Sequence, residues 1–254
     1  MLGLGAGIPL GGYIKSVSVP TTISAANLAL WYKFNTGQTL DGLAAVVRKW
    51  DDQSSNNNFA QQTNDSNCAA TSNGALDFEA SQNDHYDLNQ TVTIAQNGGF
   101  CLAVVLELET NSAVTMLGKQ SGTNDFFQVT DSTSFKFKAS GAGGASAVET
   151  KFVLPSSTFE NSEKMLIVLT RSASSSNKFE FYKNSTKLTP DVDNSLNAAE
   201  GDNPNAFSFN ILSSTNGTAN MFDGKIYDLA FWDEQLTTAE ISNVIDYFTT
   251  THGL

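Results

Sequence analysis

Oxygen-bearing side chains are concentrated in two polar stretches of this 254-residue chain. Hard cations such as calcium prefer several carboxylate and amide oxygens, so both stretches are candidate calcium sites. Neither has the spacing of an EF-hand loop, and turn-forming Asp and Asn residues explain both equally well. The favoured calcium ligands are Asp51, Asp52 and Asn56, with Asn58 beside them, and the second stretch holds Asp191, Asp193, Asn194 and Asp202.

A carbohydrate site would combine a flat aromatic ring with Asn or Asp side chains on a rim loop. Asn124, Asp125 and Phe126 supply this combination in consecutive positions. Asn216 lies in a second polar loop and is a further candidate for sugar binding. Because Phe126 and Phe127 are adjacent on a predicted strand, one ring should face outward. The favoured interpretation of that ring is that it covers a neighbouring strand or subunit.

Residue types that perform hydrolysis are sparse. The two histidines, His85 beside a predicted strand and His252 at an end expected to fray, have no nearby cysteine and no G-x-S-x-G motif. A catalytic triad or a zinc site is therefore not indicated. Cys101 lies in the apolar run 100–105 and is expected in the core. A disulfide between Cys68 and Cys101 is the less favoured alternative.

Acidic side chains outnumber basic ones, since 26 Asp and Glu against 14 Lys and Arg give a formal net charge of −12. An acidic surface repels phosphate backbones, so we expect no nucleic-acid partner. No apolar run approaches the roughly 20 residues that a membrane span requires, and we expect no membrane insertion. Residues 1–12 lack the basic start and continuous apolar run of a signal peptide, which predicts synthesis in the cytoplasm.

Short strand-like segments separated by turn residues fill most of the chain. The apolar runs 100–108 and 164–170 are typical of strands buried on both faces. The one clear helix signal covers residues 237–248, where Thr237 and Glu240 have the spacing of a capping box. The apolar face of this helix consists of Ile241, Val244, Ile245 and Phe248. These patterns predict an all-β fold, a two-sheet antiparallel jelly-roll sandwich with one short C-terminal helix.

The first 27 residues differ from the rest, because glycine occupies five of the first twelve positions. A glycine-rich segment with isolated apolar residues cannot fold alone. A disordered terminus and an arm that becomes ordered against a partner explain the segment equally well. We therefore divide the chain into an arm, residues 1–27, and a β-domain, residues 28–254. The partner-anchoring residues of the arm would be Leu2, Leu4, Ile8 and Leu10.

Several motifs occur in the order found in laminin-G-like, concanavalin-A-like jelly-roll domains. Segment 30–34, LWYKF, resembles the first strand of that family. Segment 50–60 is similar to its D-x-S-G-N-x-N-H-A loop, with serine where glycine is usual. Segments 222–227 and 236–241 resemble its last strand and helix. The resemblance covers most of the chain, about residues 28–248.

This resemblance implies a module that binds or displays a surface rather than one that catalyses. Laminin-G-like relatives often carry calcium in a loop near the ligand face, which keeps calcium as a candidate cofactor. Glucanases among the relatives use an E-x-D-x-E strand that places carboxylates on one sheet face. Only Glu107-Leu108-Glu109 approaches that pattern here, so we expect no enzymatic activity.

The start MLGLG, ahead of such a module, is similar to virion structural proteins of tailed phages, particularly those of cyanobacteria. This second resemblance implies a capsid decoration, fibre or appendage located in the virion. Its partners would be other virion proteins and further copies of this chain. The alternative is a lectin-like adhesin that binds host surface polysaccharide, with or without calcium.

Overall fold

The structure, a computed structural model, describes residues 18–41, 46–119, 125–141, 147–173, 179–192 and 203–254. Within these ranges the chain forms 18 strands, four short 3₁₀ helices and one α-helix, α1 (Thr238–His252). The strands are β1 (Leu28–Tyr32), β2 (Gln38–Leu40), β3 (Val47–Trp50), β4 (Ala60–Gln61), β5 (Ala70–Ser72), β6 (Ala75–Phe78), β7 (Tyr86–Ile94), β8 (Phe100–Leu108), β9 (Val114–Gly118), β10 (Phe126–Asp131), β11 (Ser134–Ala139), β12 (Val148–Val153), β13 (Lys164–Arg171), β14 (Phe179–Lys183), β15 (Thr186–Leu188), β16 (Asp191–Val192), β17 (Phe207–Leu212) and β18 (Gly224–Trp232).

The strands form two antiparallel sheets that pack face to face. Sheet A has the order β15-β14-β13-β8-β18-β6-β5, and β1 also pairs with β18. Sheet B has the order β16-β12-β11-β10-β9-β17-β7-β4-β3-β2. The predicted all-β jelly-roll sandwich with one C-terminal helix is thereby confirmed. The proposed boundary between an arm and a β-domain stays a prediction, because residues 1–17 lie outside the described part of the chain.

The core between the sheets is rich in phenylalanine. The ring of Phe100 on β8 lies 5.5 Å from that of Phe127 on β10 and 5.3 Å from that of Phe207 on β17, measured between centroids. Phe231 on β18 stacks on Phe100 at 5.7 Å. Such ring pairs add roughly 0.5–1.5 kcal/mol each beyond the area they bury. The apolar side chains at alternate positions of these strands therefore form one core between the two sheets.

Arg171 lies fully buried at the end of this core. Its Nε donates to the carbonyl of Gly98 at 2.8 Å, and its Nη1 donates to the carbonyls of Asn203 and Asn205 at 3.0 and 2.9 Å. The guanidinium carbon also lies 5.3 Å from the ring centroid of Phe100. Burial lowers the pKa of Arg171 to about 10. The side chain thus connects three separate chain segments at one end of the sandwich.

The helix α1 covers the outer face of sheet A. The predicted capping box is confirmed, since Thr237 Oγ1 accepts from Glu240 N and the Glu240 side chain accepts from Thr237 N. The predicted apolar face is also buried. The expectation of a frayed end at His252 was wrong, because α1 continues to that residue and Gly253 closes it with a φ of +69°. Among the described residues, no helix is both long and apolar enough to cross a membrane.

His252 is held by a buried polar contact. Its Nε2 lies 3.1 Å from Asp228 Oδ2 on β18, and Asp228 Oδ1 accepts from the indole nitrogen of Trp31 on β1 at 2.8 Å. Both the Asp228 and His252 side chains are fully buried. Burial raises the pKa of Asp228, and the hydrogen bonds from His252 and Trp31 oppose that rise. One carboxylate thus connects two strands of sheet A to the end of α1.

The two cysteines are both buried and both free. Cys101 belongs to the apolar layer between sheet A and α1, as predicted. Cys68 lies in a loop, where its thiol contacts the carbonyl of Asn64 at 3.3 Å. The alternative of a Cys68–Cys101 disulfide was therefore wrong. Burial raises the pKa of the Cys68 thiol to about 11, so this group is inert as a nucleophile near neutral pH.

Asp84 is a second buried carboxyl group, in the loop between β6 and β7. It is 1% exposed, its Oδ2 accepts from Glu79 N at 2.9 Å, and its Oδ1 has no hydrogen-bond partner. Burial raises the pKa of Asp84 to about 6, from an ordinary value of 3.8. The backbone hydrogen bond from Glu79 opposes this rise, and the charge of the Glu79 carboxylate reinforces it.

We expect Asp228→Asn to lower the free energy of unfolding by about 2–4 kcal/mol, because removing the charge weakens two buried hydrogen bonds at once. The measurement is urea unfolding followed by near-ultraviolet circular dichroism. Asp87→Asn, the same chemical change at an exposed position of β7, serves as control and should stay within about 0.5 kcal/mol. Combining Asp228→Asn with His252→Gln should cost less than the sum of the two single changes, whereas strict additivity would contradict the contact.

Asp84 should make stability depend on pH. Because its pKa is raised in the folded protein, its stabilising contribution is complete below about pH 4 and is lost as the pH rises through about 6. Relative to the wild type, Asp84→Asn should therefore gain roughly 1–3 kcal/mol of unfolding free energy between pH 4 and pH 7.5. Denaturant unfolding at a series of pH values measures this difference. A difference between the two proteins that stays constant with pH would refute the raised pKa.

Candidate functional site

The outer face of sheet B carries exposed side chains on the strands β3, β4 and β7. Lys49 lies opposite Gln61, and Gln61 lies opposite Asp87, so the three form one row across these strands. Their neighbours Trp50 and Ala60 point into the core. The alternation of side chains on adjacent strands therefore places Lys49, Gln61 and Asp87 on the outer face.

A shallow groove of about 230 Å³ follows this row of side chains. The backbone nitrogen of Asn89 donates to the backbone carbonyl of Phe59 at 2.9 Å, which holds these two residues beside the row. The Nζ of Lys49 lies 4.3 Å from the centroid of the Phe59 ring. The residues that line the groove are Phe59, Gln61, Thr63, Asp87, Leu88 and Asn89.

This set of side chains suits a ligand with many hydroxyl groups. The amides of Gln61 and Asn89 each offer both donors and acceptors, and the carboxylate of Asp87 offers acceptors. The ring of Phe59 supplies a flat apolar surface. The residues that line the groove include no histidine, cysteine or lysine, so no nucleophile with an adjacent base is assembled among them.

Two of the sugar-binding residues predicted from sequence, Asp125 and Phe126, are buried in the structure. Asp125 is 1% exposed, and its two oxygens accept from Ser140 N and Ser208 N at 2.8 Å each, so the expectation of an accessible rim residue was wrong. Phe126 is 8% exposed. The Nζ of Lys138 lies 5.8 Å from the centroid of the Phe126 ring.

Asn216, a further predicted sugar ligand, lies in the loop between β17 and β18. Asn216 Oδ1 accepts from Thr218 N and Oγ1 at 3.1 Å each, which closes its loop on itself. Asn124 lies outside the described residues. A sugar-binding role for Asn216 stays a prediction, as does one for Asn124. The anchoring role of Leu2, Leu4, Ile8 and Leu10 also stays a prediction, because residues 1–17 lie outside the described part of the chain.

Asp52, a predicted calcium ligand, organises its own loop. Its Oδ1 accepts from Trp31 N and Ser54 N, both at 2.8 Å. Its Oδ2 accepts from Asn58 N at 2.8 Å and from Ser54 Oγ at 2.6 Å. Four protein donors thus satisfy the charge of this carboxylate and hold the loop.

The two companions of Asp52 are also engaged. Asp51 forms an ion pair with Lys49 at 2.7 Å, and the side-chain amide of Asn56 donates to the carbonyl of Leu28 at 2.8 Å. Calcium at this loop stays a prediction. In the second predicted stretch, residues 193–202 lie outside the described part of the chain.

A different set of carboxylates converges beside the strands β6 and β8 of sheet A. One oxygen from each of Asp77, Glu79 and Glu109 lies within 4.8 Å of the others. Lys225 partly offsets their charge, since its Nζ lies 3.2 Å from Glu107 and 3.7 Å from Glu109. Burial and the nearby charge of Glu109 raise the pKa of Glu79. The register that places Lys225 between Asp77 on β6 and Glu107 on β8 creates this cluster.

No known family profile matches the sequence, and no curated protein matches it either. Among solved structures, the chain is similar to the sialidase of Trypanosoma rangeli, at 15% identity and a TM-score of 0.51. The match covers 91% of this chain and 34% of the sialidase chain, so this protein spans about a third of that relative's length. A second structure of the same sialidase, in complex with sialic acid, matches at 15% identity and a TM-score of 0.51, covering 92% and 35%.

A more distant match is the CBM40 module of Ruminococcus gnavus IT-sialidase bound to α2,3-sialyllactose. That match has 12% identity and a TM-score of 0.40, and it covers 59% of this chain and 82% of the module. At these identities the likeness concerns the fold alone, and a TM-score of 0.40 is too low to support more. The fold shared with the sialidase is a β-sandwich that agrees with the predicted concanavalin-A-like domain.

Proposed function

We propose that this chain is a carbohydrate-binding β-sandwich whose ligand lies in the groove of β4 and β7. One observation carries the proposal. The Phe59 ring, the side-chain amides of Gln61 and Asn89, and the Asp87 carboxylate converge on one exposed sheet face. A sugar ring has an apolar face bordered by hydroxyl groups. An aromatic side chain flanked by planar hydrogen-bonding groups complements both features.

Two further facts support a glycan ligand. The strands β4 and β7 hold the side chains of the groove in fixed register, with Gln61 opposite Asp87. A site built on strands binds with little loss of backbone entropy. The structurally similar Trypanosoma rangeli sialidase has been observed with sialic acid, which supports carbohydrate recognition by analogy of fold. This outcome favours the lectin-like alternative derived from the sequence over pure virion decoration.

We propose further that the domain does not hydrolyse its ligand. A glycosidase requires two carboxyl groups on either side of the scissile bond, roughly 5–9.5 Å apart. Asp87 is the one carboxylate among the residues that line the groove. The cluster of Asp77, Glu79 and Glu109 lies on sheet A instead, beside the cation of Lys225.

Placement of the domain on a phage particle, and its synthesis in the host cytoplasm, remain proposals that rest on the sequence resemblance. In that setting the groove would face the host surface and bind its polysaccharide. Calcium remains a candidate cofactor of this glycan binding. A chelator that abolishes binding would indicate a calcium-dependent site, whereas binding that survives the chelator would indicate that the side chains of the groove act alone.

Phe59→Ala should weaken glycan binding about tenfold or more, because the flat apolar surface of the groove is lost. Asn89→Ala, at an exposed position, should weaken it about threefold to tenfold through the loss of one hydrogen-bonding group. The probe is a panel of immobilised neutral and acidic glycans, followed by calorimetric titration of the best binder.

The matched control for this experiment is Thr93→Ala, an exposed position of β7 outside the groove. Thermal unfolding of each variant separates loss of binding from loss of fold. Unchanged affinity in a folded Phe59→Ala protein would rule out this groove as the site. A panel without any bound glycan would rule out the proposed function.

Incubation of the wild-type protein with a bound oligosaccharide should release no new reducing ends, because Asp87 is the one carboxylate among the residues that line the groove. The measurement is chromatography of the sugar after prolonged incubation, with a known glycosidase as positive control. Release that disappears in Asp87→Asn would show instead that the groove is a catalytic site.

A further inference from the structure

We propose that the groove selects uncharged glycans and discriminates against acidic ones, including sialylated glycans. This inference rests on the proposed function and adds a ligand class to it. The observation behind it is the arrangement of charged side chains around the groove. In the described part of the chain, each basic group near the groove is paired with at least one carboxylate, whereas no basic group pairs with the carboxylate within the groove.

Asp87 provides the charge inside the groove. Its side chain is exposed and lies among the groove residues. Among the described residues, no basic group lies within ion-pair distance of the Asp87 carboxylate, so its negative charge is open to the ligand. The nearest basic residue in the row is Lys49, two strands away, and its Nζ lies 2.7 Å from Asp51 Oδ1.

The other end of the groove is no more basic. Arg48 Nη1 donates to the carbonyl of Thr63, a groove residue, at 3.0 Å. The guanidinium also pairs with Asp41 at 2.8 Å and with Asp65. The groove is therefore surrounded by two cations, Arg48 and Lys49, and by four carboxylates, Asp41, Asp51, Asp65 and Asp87.

The local charge follows the sign of the whole chain, which carries a formal net charge of −12. A ligand carboxylate placed in the groove would lie near Asp87 and meet a negative potential with no free cation to pair with. Two like charges about 7 Å apart at a protein surface repel enough to change affinity roughly tenfold. A neutral sugar avoids this repulsion, and its hydroxyl groups donate to the Asp87 carboxylate as charge-assisted hydrogen bonds.

The experiment compares neutral glycans with their sialylated or uronic acid counterparts on the same panel, followed by calorimetric titration at low salt. We expect the neutral member of each matched pair to bind about tenfold more tightly than the acidic member. Added salt should narrow the gap, because it screens the repulsion. Equal or tighter binding of acidic glycans would overturn the selectivity while leaving the proposed function intact. A panel without any binding would overturn both.

Two variants test the assigned charges. Asp87→Asn should strengthen binding of the acidic glycans about threefold to tenfold, and Asp51→Asn should act in the same direction by freeing the Lys49 ammonium. The control is Glu160→Gln, which removes one exposed charge in the connection between β12 and β13. An unchanged ratio of acidic to neutral affinity in both test variants would refute the inference.

Discussion

Sheet A has two apolar faces, and both have to be covered. Along β8, alternate residues such as Leu102 and Val104 enter the core between the sheets, whereas Cys101, Ala103 and Val105 face α1. An apolar face left in water would cost roughly 25 cal/mol for each Å² exposed. The helix α1 removes that cost, so sheet A depends on a segment at the opposite end of the chain from β1.

The attachment of α1 combines apolar burial with one polar contact. Apolar layers resist separation but tolerate sliding, because the hydrophobic effect has no direction. The hydrogen bonds of Asp228 to Trp31 and His252 add direction, since a shift of the helix would leave a buried carboxylate unpaired. The layer of α1 covers sheet A, whereas strands β3, β4 and β7 of sheet B carry solvent-accessible side chains on their outer face.

The sequence was informative where local patterns decide structure and uninformative where distant segments meet. Continuous apolar runs predicted β8 and β13 almost to the residue, and the capping box located the start of α1. The exposed residues 89–91 interrupt the alternation of β7, so the sequence alone does not indicate the full length of this strand. Pairing with β17 and β4 extends β7 to Ile94, and that long-range pairing brings residues 59–63 beside residues 87–89.

Residue type alone does not distinguish a ligand-binding carboxylate from one that closes a loop. Asp52 receives four hydrogen bonds from the protein, and both oxygens of Asp125 receive backbone hydrogen bonds. Asp87 sits on a strand with its side chain exposed. Backbone donors stabilise a carboxylate in place, and a carboxylate satisfied in this way gains little from a ligand. The count of backbone donors per carboxylate, which depends on the fold, is the physical criterion that separates the two roles.

The dimensions of the groove limit what one copy of the domain achieves. Its volume of about 230 Å³ is below the roughly 300–1,000 Å³ of pockets that enclose drug-sized ligands. A shallow groove of this size would contact a short stretch of glycan and leave much of it in water, so we expect the proposed site to have modest affinity. Firm attachment to a polysaccharide would then require several copies on one support, where effective concentration multiplies weak sites. Display in many copies would therefore suit the proposed glycan-binding role of this groove.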